Sequence, residues 1–344
     1  MAPMFAPGTY ARFFRRWLEF GRGNPLPIEV SWFIAAKCSI RCGGCLFFAG
    51  DGRPSFAAER VLSLEEKLKV VSQLAEINLP FLAVTGGEPF LEPDLMPIIQ
   101  AACDAGIAAG ITTNGLDATP DQILRYDGLC HVVWISIDGF EREHDLIRGP
   151  GRYAQSLRTL RGIASRMRKT VVGVSTVINV HNAASIPEFL GFLREMGVAK
   201  VGIKVNVIPE LRPDYVRHAA ALDRLLAFKR RHPSLLAVTE EFIASIPRLC
   251  RPENAKVGCR LDLWTHPSIL PDGRFSACAA YPVVVGDLTV EHIGDLLRRR
   301  DPGTFSAAAA CPGCVRGDLP LYDLFLGKPL HRISPRDVLK LLRT

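Results

Sequence analysis

The stretch Val30-Ser-Trp-Phe-Ile-Ala-Ala-Lys-Cys38-Ser-Ile-Arg-Cys42-Gly-Gly-Cys45 joins an apolar run to three closely spaced cysteines. The apolar residues predict a strand over residues 27–36 that runs into the cysteine loop. Three thiolates on one short loop can bind one metal centre, whereas closed structural sites use four protein ligands. The spacing therefore predicts a metal or cluster site with one position left for a substrate or cofactor. Three inert buried thiols are the alternative.

The chain beyond this loop alternates between helical and extended patterns. A helix is predicted to start at Ser63, because Glu66 completes a capping box and apolar residues then recur at helical spacing. Strands are predicted over residues 27–36, 81–84, a stretch ending at 113, 131–137, 170–180 and 200–208. Strands that alternate with helices in this way form a parallel sheet, either an open doubly wound sheet or a partial or complete barrel.

The composition is that of a globular protein with many cysteines. The 344 residues include 10 cysteines and carry a formal net charge of +7, from 42 Lys and Arg against 35 Asp and Glu. No apolar run approaches the roughly 20 residues that span a bilayer, and no secretory signal is evident. We therefore expect a cytoplasmic protein. Because disulfides are rare in that compartment, the cysteines point to metal or cluster ligation or to redox chemistry.

The most basic stretch of the chain is residues 10–22. Apolar side chains recur there at helical spacing with arginines between them: Tyr10, Phe13, Phe14, Trp17 and Leu18, with Arg12, Arg15, Arg16 and Arg22. The pattern predicts an amphipathic basic helix. Such a helix either makes a peripheral contact with an anionic membrane or, as we expect here, packs its apolar stripe onto the body of its own domain.

A second group of cysteines lies in the loop-rich C-terminal part of the chain. Four thiolates from separate loops are available there, at Cys259, Cys278, Cys311 and Cys314. Together they can form a closed site that stabilises a small unit without a large core. Zinc and a [4Fe–4S] cluster fit this spacing equally well. Cys250 lies nearby and is interpreted as a structural thiol.

The first cysteine loop, Cys38-x₃-Cys42-x₂-Cys45, resembles the cluster motif of the radical S-adenosylmethionine (SAM) superfamily. In that family three cysteines hold a [4Fe–4S] cluster, and SAM binds the remaining iron through its amino and carboxylate groups. Thr85-Gly-Gly-Glu-Pro89 after the second strand resembles the family's GGEP motif, whose backbone and acidic residue hold the SAM amino group. The resemblance implies that both motifs belong to one SAM site.

Two later segments extend the resemblance, which covers residues 27–208. Ser136-Ile-Asp-Gly139, followed by His144-Asp145 and Arg148-Gly149, resembles the stretch after the fourth strand, and Ser175–Asn179 resembles the fifth strand. All the motifs fall at the carboxyl ends of strands, where parallel sheets bind their ligands. The cofactor-binding residues that the resemblance implies are Gly86, Gly87, Glu88, Pro89, Ser136, Asp138 and Thr176.

The expected SAM contacts follow the family with one departure. Glu88 can accept a charge-assisted hydrogen bond from the SAM ammonium group, and the glycines before it let the backbone approach a ligand closely. The family often has an aromatic residue just before the third cysteine, near the adenine, whereas this chain has Gly44. We therefore expect Phe47 or Phe48 to pack against the adenine.

The resemblance implies an α/β fold, namely a partial (β/α)₆ TIM-like barrel followed by a small cysteine-rich domain. The second cysteine group then resembles a twitch domain, the half-length form of the SPASM domain, since no cysteine follows Cys314. This implies a SAM-binding [4Fe–4S] cluster on Cys38, Cys42 and Cys45 and an auxiliary [4Fe–4S] cluster on Cys259, Cys278, Cys311 and Cys314. The expected divisions are a basic arm (1–23), the barrel (24–225), a helical linker (226–255), the auxiliary-cluster domain (256–325) and a tail helix (326–344).

The resemblance also implies an enzyme that reductively cleaves SAM to a 5′-deoxyadenosyl radical, which abstracts hydrogen from a substrate. A fully ligated auxiliary cluster would accept the electron left on the substrate, which favours an oxidation, and a flavodoxin or ferredoxin is the expected reductant. We expect a small-molecule substrate such as a sugar or aminocyclitol alcohol, because the chain ahead of Cys38 is too short for a peptide-binding domain.

Other functions stay open at this point. Maturation of a ribosomal peptide and modification of a lipid-linked substrate are the enzymatic alternatives. A zinc-binding nucleic-acid or scaffold protein is the non-enzymatic one, but the modest positive charge argues against a nucleic-acid partner. No residue is assigned as catalytic. Candidate proton acceptors near the second cysteine group are Asp262, His266, Asp272 and Tyr281.

Overall fold

The computed structural model describes residues 7–21, 26–45, 47, 58, 60–206, 208–250, 264, 266–281 and 283–299. Its helices are α1 (Pro7–Gly21), α2 (Leu64–Glu76), α3 (Leu95–Asp104), α4 (Pro120–Leu124), α5 (Glu141–Arg148), α6 (Arg152–Ala164), α7 (Ile186–Glu195), α8 (Tyr215–Arg231), α9 (Glu240–Leu249) and α10 (Ile293–Arg298). Its strands are β1 (Glu29–Ala35), β2 (Phe81–Gly86), β3 (Ala108–Thr113), β4 (Val132–Ser136), β5 (Val171–Ile178), β6 (Lys200–Val205), β7 (Ser268–Ile269), β8 (Arg274–Ser276) and β9 (Val284–Asp287).

The first six strands form a parallel sheet in chain order, from β6 through β5, β4, β3 and β2 to β1. Helices connect each strand to the next, so the predicted strands and the α/β architecture are confirmed. The predicted helix cap is also present, because the Ser63 hydroxyl accepts from the amide of Glu66 at 3.3 Å. The sheet does not close on itself, since the outer edge of β1 pairs with β7. The fold is therefore a partial barrel.

The C-terminal residues extend this sheet. Strand β7 runs parallel to β1, with Ser31 opposite Ser268, and β8 and β9 follow as antiparallel neighbours. The side chain of Gln73 on α2 joins the two parts, because it donates to the carbonyl of Leu288 at 3.2 Å and accepts from the amide of Ile293 at 2.8 Å. The cysteine-rich part thus continues the sheet on which the first cysteine loop is carried.

Along each barrel strand, successive side chains point alternately toward the surrounding helices and toward the interior of the barrel. Fully buried side chains such as Val84, Ile111 and Val133 belong to the main apolar core together with helix residues. Residues between them, such as Thr112, line a central cavity instead. The core therefore lies between the sheet and the helices, which leaves the interior of the barrel for small and polar side chains.

Helix α1 confirms the predicted N-terminal helix, and it contacts the barrel through arginines. Arg12 donates to the carbonyls of Leu79 at 3.1 Å and Ala105 at 2.6 Å, and the buried Arg16 donates to the carbonyl of Ile77. These carbonyls lie just after α2 and α3, where a helix leaves acceptors unsatisfied. Among the described side chains of the apolar stripe, Phe14 is 51% and Leu18 39% exposed, so the contacts seen here are those of the arginines.

Two further expectations concern the limits of the domains. The predicted boundary between residues 225 and 226 falls inside α8, which continues without interruption. The predicted tail helix, residues 326–344, lies outside the described residues. In the part of the chain that the structure describes, no helix combines the length and the apolar character needed to cross a bilayer.

Candidate cofactor site at the carboxyl ends of the strands

A cavity of about 490 Å³ occupies the interior of the barrel. At one end it is lined by the cysteine loop and by residues that follow β2, β3 and β4. At the other end it reaches Glu29 and Phe81, the first residues of β1 and β2. The predicted motifs therefore meet around one internal space at the carboxyl ends of the strands, as expected for a parallel sheet.

The three cysteines of the first loop, Cys38, Cys42 and Cys45, all line this cavity and are half-buried. Within the loop, the amide of Cys45 donates to the carbonyl of Cys42 at 3.2 Å. The amide of Gly43 donates to the carbonyl of Ile147 on α5 at 2.7 Å. The loop is therefore held against the barrel by backbone hydrogen bonds.

Gly44 occupies a position that excludes a side chain. Its φ angle is +74°, in the region that favours glycine, and a Cβ there would lie 2.6 Å from Cδ1 of Leu211. Because of this φ angle, a larger residue before the third cysteine would be strained, and its Cβ would also displace the end of the Leu211 side chain. Phe47, proposed to pack against the adenine, lines the cavity but is 3% exposed and packs on Phe33. Phe48 lies outside the described residues.

The electrostatics of the loop favour protonated thiols when no metal is bound. Burial raises the pKa of Cys42 to about 11, against the opposing effect of the Arg148 guanidinium. Burial also raises the pKa of Cys38. A metal centre must therefore displace protons as it binds, which makes its incorporation pH-dependent.

The donor set of the loop is three thiols that line one cavity. Thiolates are the protein ligands of a [4Fe–4S] cluster, each bound to a different iron atom. Cys38, Cys42 and Cys45 would therefore hold such a cluster with one iron left for another ligand. Within the described residues, no three His, Cys, Asp or Glu side chains are grouped so that they could hold one metal ion.

The Gly-Gly-Glu-Pro segment is joined to the cysteine loop by its backbone. The amide of Gly87 donates to the carbonyl of Ala35 at 2.8 Å, and the amide of Glu88 donates to that of Lys37 at 2.7 Å. A Cβ on Gly87 would lie 2.0 Å from the Lys37 carbonyl oxygen. The glycines were expected to admit a ligand, but the close approach at Gly87 is to the chain that enters the cysteine loop.

Glu88 is buried, and its carboxylate joins the ends of β2 and β3. Oε1 accepts from the hydroxyl of Thr113 at 2.6 Å and from the amide of Phe90 at 3.2 Å, and Oε2 accepts from the amide of Asn114 at 2.8 Å. Burial raises the pKa of Glu88 to about 7, although these hydrogen bonds favour the ionised form. An ammonium group placed beside this carboxylate would favour ionisation further.

Ser136 and Asp138 line the cavity as predicted for site residues. Asp138 is 1% exposed, and its carboxylate accepts from the amide of Val177 at 2.8 Å and from Nε of Arg148 at 2.7 Å. Its amide donates to Nδ1 of His144 at 3.2 Å. Asp138 therefore fixes the segment after β4 to β5 and to the end of α5.

Two of the predicted cofactor-binding residues stand away from the cavity wall. Thr176 is fully buried and donates to the carbonyl of Ile137 at 2.7 Å, whereas its neighbours Ser175 and Val177 line the cavity. Pro89 is buried at the start of a 3₁₀ turn (Pro89–Leu91) and is likewise not among the lining residues. The structure brings the other predicted residues of the barrel site together.

The structure adds polar residues that the sequence analysis did not assign to the site. Arg148, Asn114, Asn179 and Asn206 all line the cavity. Nδ2 of Asn114 lies 3.9 Å from Sγ of Cys38, and an Nη atom of Arg148 lies 4.0 Å from Sγ of Cys42. Each asparagine directly follows a strand of the structure, namely β3, β5 or β6, whereas the sequence analysis placed only Asn114 after the end of a predicted strand.

The second cysteine group is described only in part. Cys278 follows β8, is half-buried, and its Sγ accepts from the amide of Ala280 at 3.3 Å. The residue between them, Ala279, lines the central cavity. The other three predicted ligands, Cys259, Cys311 and Cys314, lie outside the described residues. Cys278 thus stands one residue from the wall of the barrel site.

The candidate proton acceptors near Cys278 stand apart from this cavity. His266, Asp272 and Tyr281 are not among its lining residues. Asp272 accepts from Nε of Arg274 at 2.6 Å, and Tyr281 packs against the main core. Asp262 lies outside the described residues. Cys250, interpreted as a structural thiol, is 6% exposed within the core, and burial raises its pKa to about 11.

Comparison with known proteins gives a consistent picture. Residues 32–227 match the model of the radical SAM superfamily. Mycofactocin maturase MftC of Mycobacterium tuberculosis is 30% identical over 173 residues, 50% of this chain and 43% of that protein. The AdoMet-dependent heme synthase of Methanosarcina barkeri is 27% identical over 249 residues, 70% of this chain and 69% of that protein. The chain spans about half the length of the maturases it matches.

Solved structures share the fold at low sequence identity. SuiB of Streptococcus suis bound to its precursor peptide SuiA superimposes with a TM-score of 0.63 at 14% identity. That likeness covers 86% of this chain and 70% of the SuiB chain. The partial barrel and the strands beyond it thus follow an architecture already seen in crystals.

Proposed function

Because the chain belongs to the radical SAM superfamily, with a [4Fe–4S] cluster and SAM as its cofactors, we propose that it is an enzyme that modifies a peptide. Cys38, Cys42 and Cys45 would hold the cluster. The observation that carries the SAM-dependent part of the proposal is that these thiols, Glu88 and Arg148 line one internal cavity. When bound, the cluster and SAM supply one-electron cleavage of SAM and abstraction of a hydrogen atom from the substrate.

The protein's own residues would bind and orient SAM. The buried carboxylate of Glu88, held by three hydrogen-bond donors, offers an anionic partner for the SAM ammonium group. Arg148, fixed by Asp138, places a cation beside Cys42, where it would stabilise the thiolate form. Glu88 and Asp138 are each 1% exposed, and this shielding from water strengthens both interactions.

The relatives favour a peptide over the sugar or aminocyclitol alcohol expected from the sequence. MftC is named a maturase, and the solved structure of SuiB holds a precursor peptide on the same fold. These names support the alternative considered in the sequence analysis, maturation of a ribosomal peptide. A flavodoxin or ferredoxin as reductant and a cytoplasmic location belong to the same proposal.

An auxiliary [4Fe–4S] cluster is part of the proposal. Its ligands would be Cys259, Cys278, Cys311 and Cys314. The position of Cys278 beside Ala279 supports a cluster close to the substrate cavity. Net oxidation of the substrate is the reaction that such a neighbouring redox centre favours.

The first experiment is formation of 5′-deoxyadenosine from SAM under anaerobic reduction, with iron counted per chain. We expect activity from the reconstituted wild type, with about eight irons per chain as two four-iron clusters require. Cys42→Ala should lose the activity and about half the iron, and Cys103→Ala, which changes a half-buried cysteine on α3, should lose neither. Zinc without iron would refute the radical SAM enzyme, and about four irons would refute the auxiliary cluster.

The substrate class needs its own experiment. We would add a pool of random-sequence peptides, or a panel of sugar and aminocyclitol alcohols, and measure both SAM cleavage and a change in substrate mass. Stimulation and mass change with peptides alone are expected. The same result with the alcohols alone would refute the peptide proposal and support the small-molecule substrate that the sequence analysis expected.

Modification of a heme precursor is a second candidate, favoured by one observation. The heme synthase of Methanosarcina barkeri matches 70% of this chain and 69% of its own length, a larger share than the match to MftC. Titration of the reconstituted protein with iron coproporphyrin III tests it. A shifted Soret band together with porphyrin-dependent SAM cleavage would favour this function over peptide maturation.

A further inference from the structure

Trp134 is the one residue of β4 that is not buried. Its strand lies in the middle of the parallel sheet, between β3 and β5. Because Trp134 lines the central cavity, its exposed surface faces the interior of the barrel. Trp134 has no part in the SAM contacts proposed above.

Two glycines fix the orientation of this indole. A Cβ on Gly173 of β5 would lie 2.4 Å from Cζ3 of Trp134, and a Cβ on Gly202 of β6 would lie 3.6 Å from the same atom. One ring atom is thus close to β5 and to β6 beyond it, so the ring extends from β4 across β5 along the barrel wall. The glycine positions lie beside the ring, and the residue lines the cavity.

The positions beside the ring carry short side chains. In the strand register, Trp134 lies between Thr112 of β3 and Gly173 of β5. Neither residue is long enough to cover the indole from its side. Trp134 itself is half-buried and lines the cavity, so a group that enters the cavity can reach it.

A second aromatic ring lies on the same wall. Phe81 at the start of β2 lines the cavity, and a Cβ on Gly110 of β3 would lie 2.8 Å from its Cζ atom. Inward-facing glycines on β3, β5 and β6 thus make room for two rings that lie along the wall. Together, Phe81 and Trp134 give the deep end of the cavity flat unsaturated surfaces; we call this region the ring chamber.

We propose that the ring chamber binds an aromatic side chain of the substrate peptide, stacked on the indole of Trp134. The inference rests on the proposed function and names the substrate class of the same cavity. A flat ring gains more from such a surface than a saturated side chain of equal size, because offset stacking adds to the burial of apolar area. The glycines, which leave the indole uncovered, are the feature that distinguishes this arrangement from ordinary core packing.

The test compares two ligands with the same carbon skeleton, one with an aromatic ring and the other with a saturated ring that is slightly larger and more apolar. N-acetylphenylalanine amide and N-acetylcyclohexylalanine amide are titrated against the reconstituted protein with SAM, and dissociation constants are measured by ligand-observed NMR. We expect the aromatic amide to bind about 3- to 10-fold more tightly than the saturated amide. Equal binding of the two amides would overturn the proposal.

Four variants, two at Trp134 and two at the glycines beside it, test whether the preference for the aromatic amide depends on Trp134. Trp134→Leu should abolish the preference and Trp134→Phe should keep it. Gly173→Ala should also abolish it, because the new Cβ displaces the indole, whereas Gly202→Ala places its Cβ at an ordinary contact distance and should keep it. A preference that survives in a folded Trp134→Leu protein would overturn the role of Trp134.

A third ligand distinguishes a peptide from a free aromatic molecule. 4-Methylphenol carries the ring without a peptide backbone, so it should bind more weakly than the aromatic amide if peptide contacts contribute. Tighter binding of 4-methylphenol would assign the chamber to a small aromatic substrate and overturn the peptide part. Because these measurements need no turnover, loss of the ring preference with intact SAM cleavage would refute this inference alone.

Discussion

The guanidinium of Arg148 connects Asp138 to Cys42. Its Nε donates to Asp138 at 2.7 Å, and an Nη atom lies 4.0 Å from the cysteine Sγ. The carboxylate is buried and also accepts from the backbone of β5, so the cation is held in one place. A fixed positive charge next to a cluster ligand stabilises added negative charge on the cluster.

Replacing that cation should make the cluster harder to reduce. We expect Arg148→Gln to shift the reduction potential of the SAM-binding cluster by about 50–100 mV to more negative values, because an electron then enters without the nearby positive charge. Redox titration followed by electron paramagnetic resonance measures this shift. Arg158→Gln on α6 removes an exposed charge and should leave the potential unchanged; equal potentials in all three proteins would contradict the prediction.

The contact between Gly87 and Lys37 predicts a local defect. Gly87→Ala places a Cβ 2.0 Å from the Lys37 carbonyl oxygen, so the backbone that enters the cysteine loop must move. We expect iron incorporation to fall severalfold and the free energy of unfolding to drop by about 2 kcal/mol. Gly191→Ala on α7 is the matched control, since nothing lies within 4 Å of its Cβ and alanine favours a helix. Full cluster loading in Gly87→Ala would show that this packing is dispensable.

The hydrogen bonds of Glu88 predict how SAM affinity changes when one of its acceptor oxygens is replaced by a donor. In Glu88→Gln one carboxylate oxygen becomes an NH₂ group, and every observed partner of Glu88 is a donor. We therefore expect SAM affinity to fall at least about tenfold, since an ammonium partner and a backbone bond are both weakened. Equilibrium dialysis with labelled SAM measures it. Glu92→Gln is unsuitable as a control because Glu92 pairs with Lys67, so exposed Glu141→Gln on α5 is used instead.

His144 predicts a dependence of stability on pH. Burial and, to a smaller extent, the charge of Arg148 lower its pKa to about 4, against the opposing effect of Asp138 and Asp145. The folded state therefore binds fewer protons than the unfolded state between about pH 4 and the usual pKa near 6.5. The stability that neutral His144 contributes is present above about pH 6.5 and is lost as the pH falls toward 4. Nδ1, which accepts from the Asp138 amide, is the nitrogen that gains the proton, so protonation removes this hydrogen bond.

The measurement is a comparison of urea unfolding in the wild type and in His144→Asn from pH 7 to pH 4. Asparagine can keep the acceptor for the Asp138 amide but does not titrate. The wild type should lose up to about 3 kcal/mol relative to the variant across this range. Parallel pH profiles of the two proteins would show that His144 does not titrate on unfolding.

The buried ion pairs of Lys67 predict a large effect on stability. Its Nζ lies 2.6 Å from Glu92 and 2.8 Å from Asp94, which follow the Gly-Gly-Glu-Pro segment, and the lysine is 2% exposed. Lys67→Met leaves two carboxylates without their cation and should cost about 3 kcal/mol in the free energy of unfolding. Lys69→Met removes an exposed charge and should change it by less than about 0.5 kcal/mol. A small effect in both variants would contradict the prediction.

The parallel barrel could be predicted from sequence because its signals are local. Each of the six strands is an apolar run, and Ser63 with Glu66 marks a helix start within four residues. The motifs at the strand ends followed from the same alternation. Strands β7 to β9 have two to four residues each, too few for a period of two to show, and their pairing with β1 is a tertiary contact.

The sequence predicted most of the residues that belong to the site, but not the contacts between them. Thr176 was assigned to the site although Ser175 and Val177 face the cavity, because a shift of one residue in a strand turns every side chain to the other face. Two contacts depend on segments that only folding brings together. They are the ion pair of Arg148 with Asp138 and the close packing of Gly87 against the backbone of Lys37. Sequence spacing carries no information on such contacts.

The pairing of β1 with β7 also has a consequence for biosynthesis. The strand that leads into the cysteine loop has one edge that is satisfied only by residues near the other end of the described chain. While the polypeptide leaves the ribosome, that edge offers unsatisfied amides and carbonyls to any neighbouring chain. The native pairing of β1 must therefore wait until the helices and strands between β1 and β7 have been made.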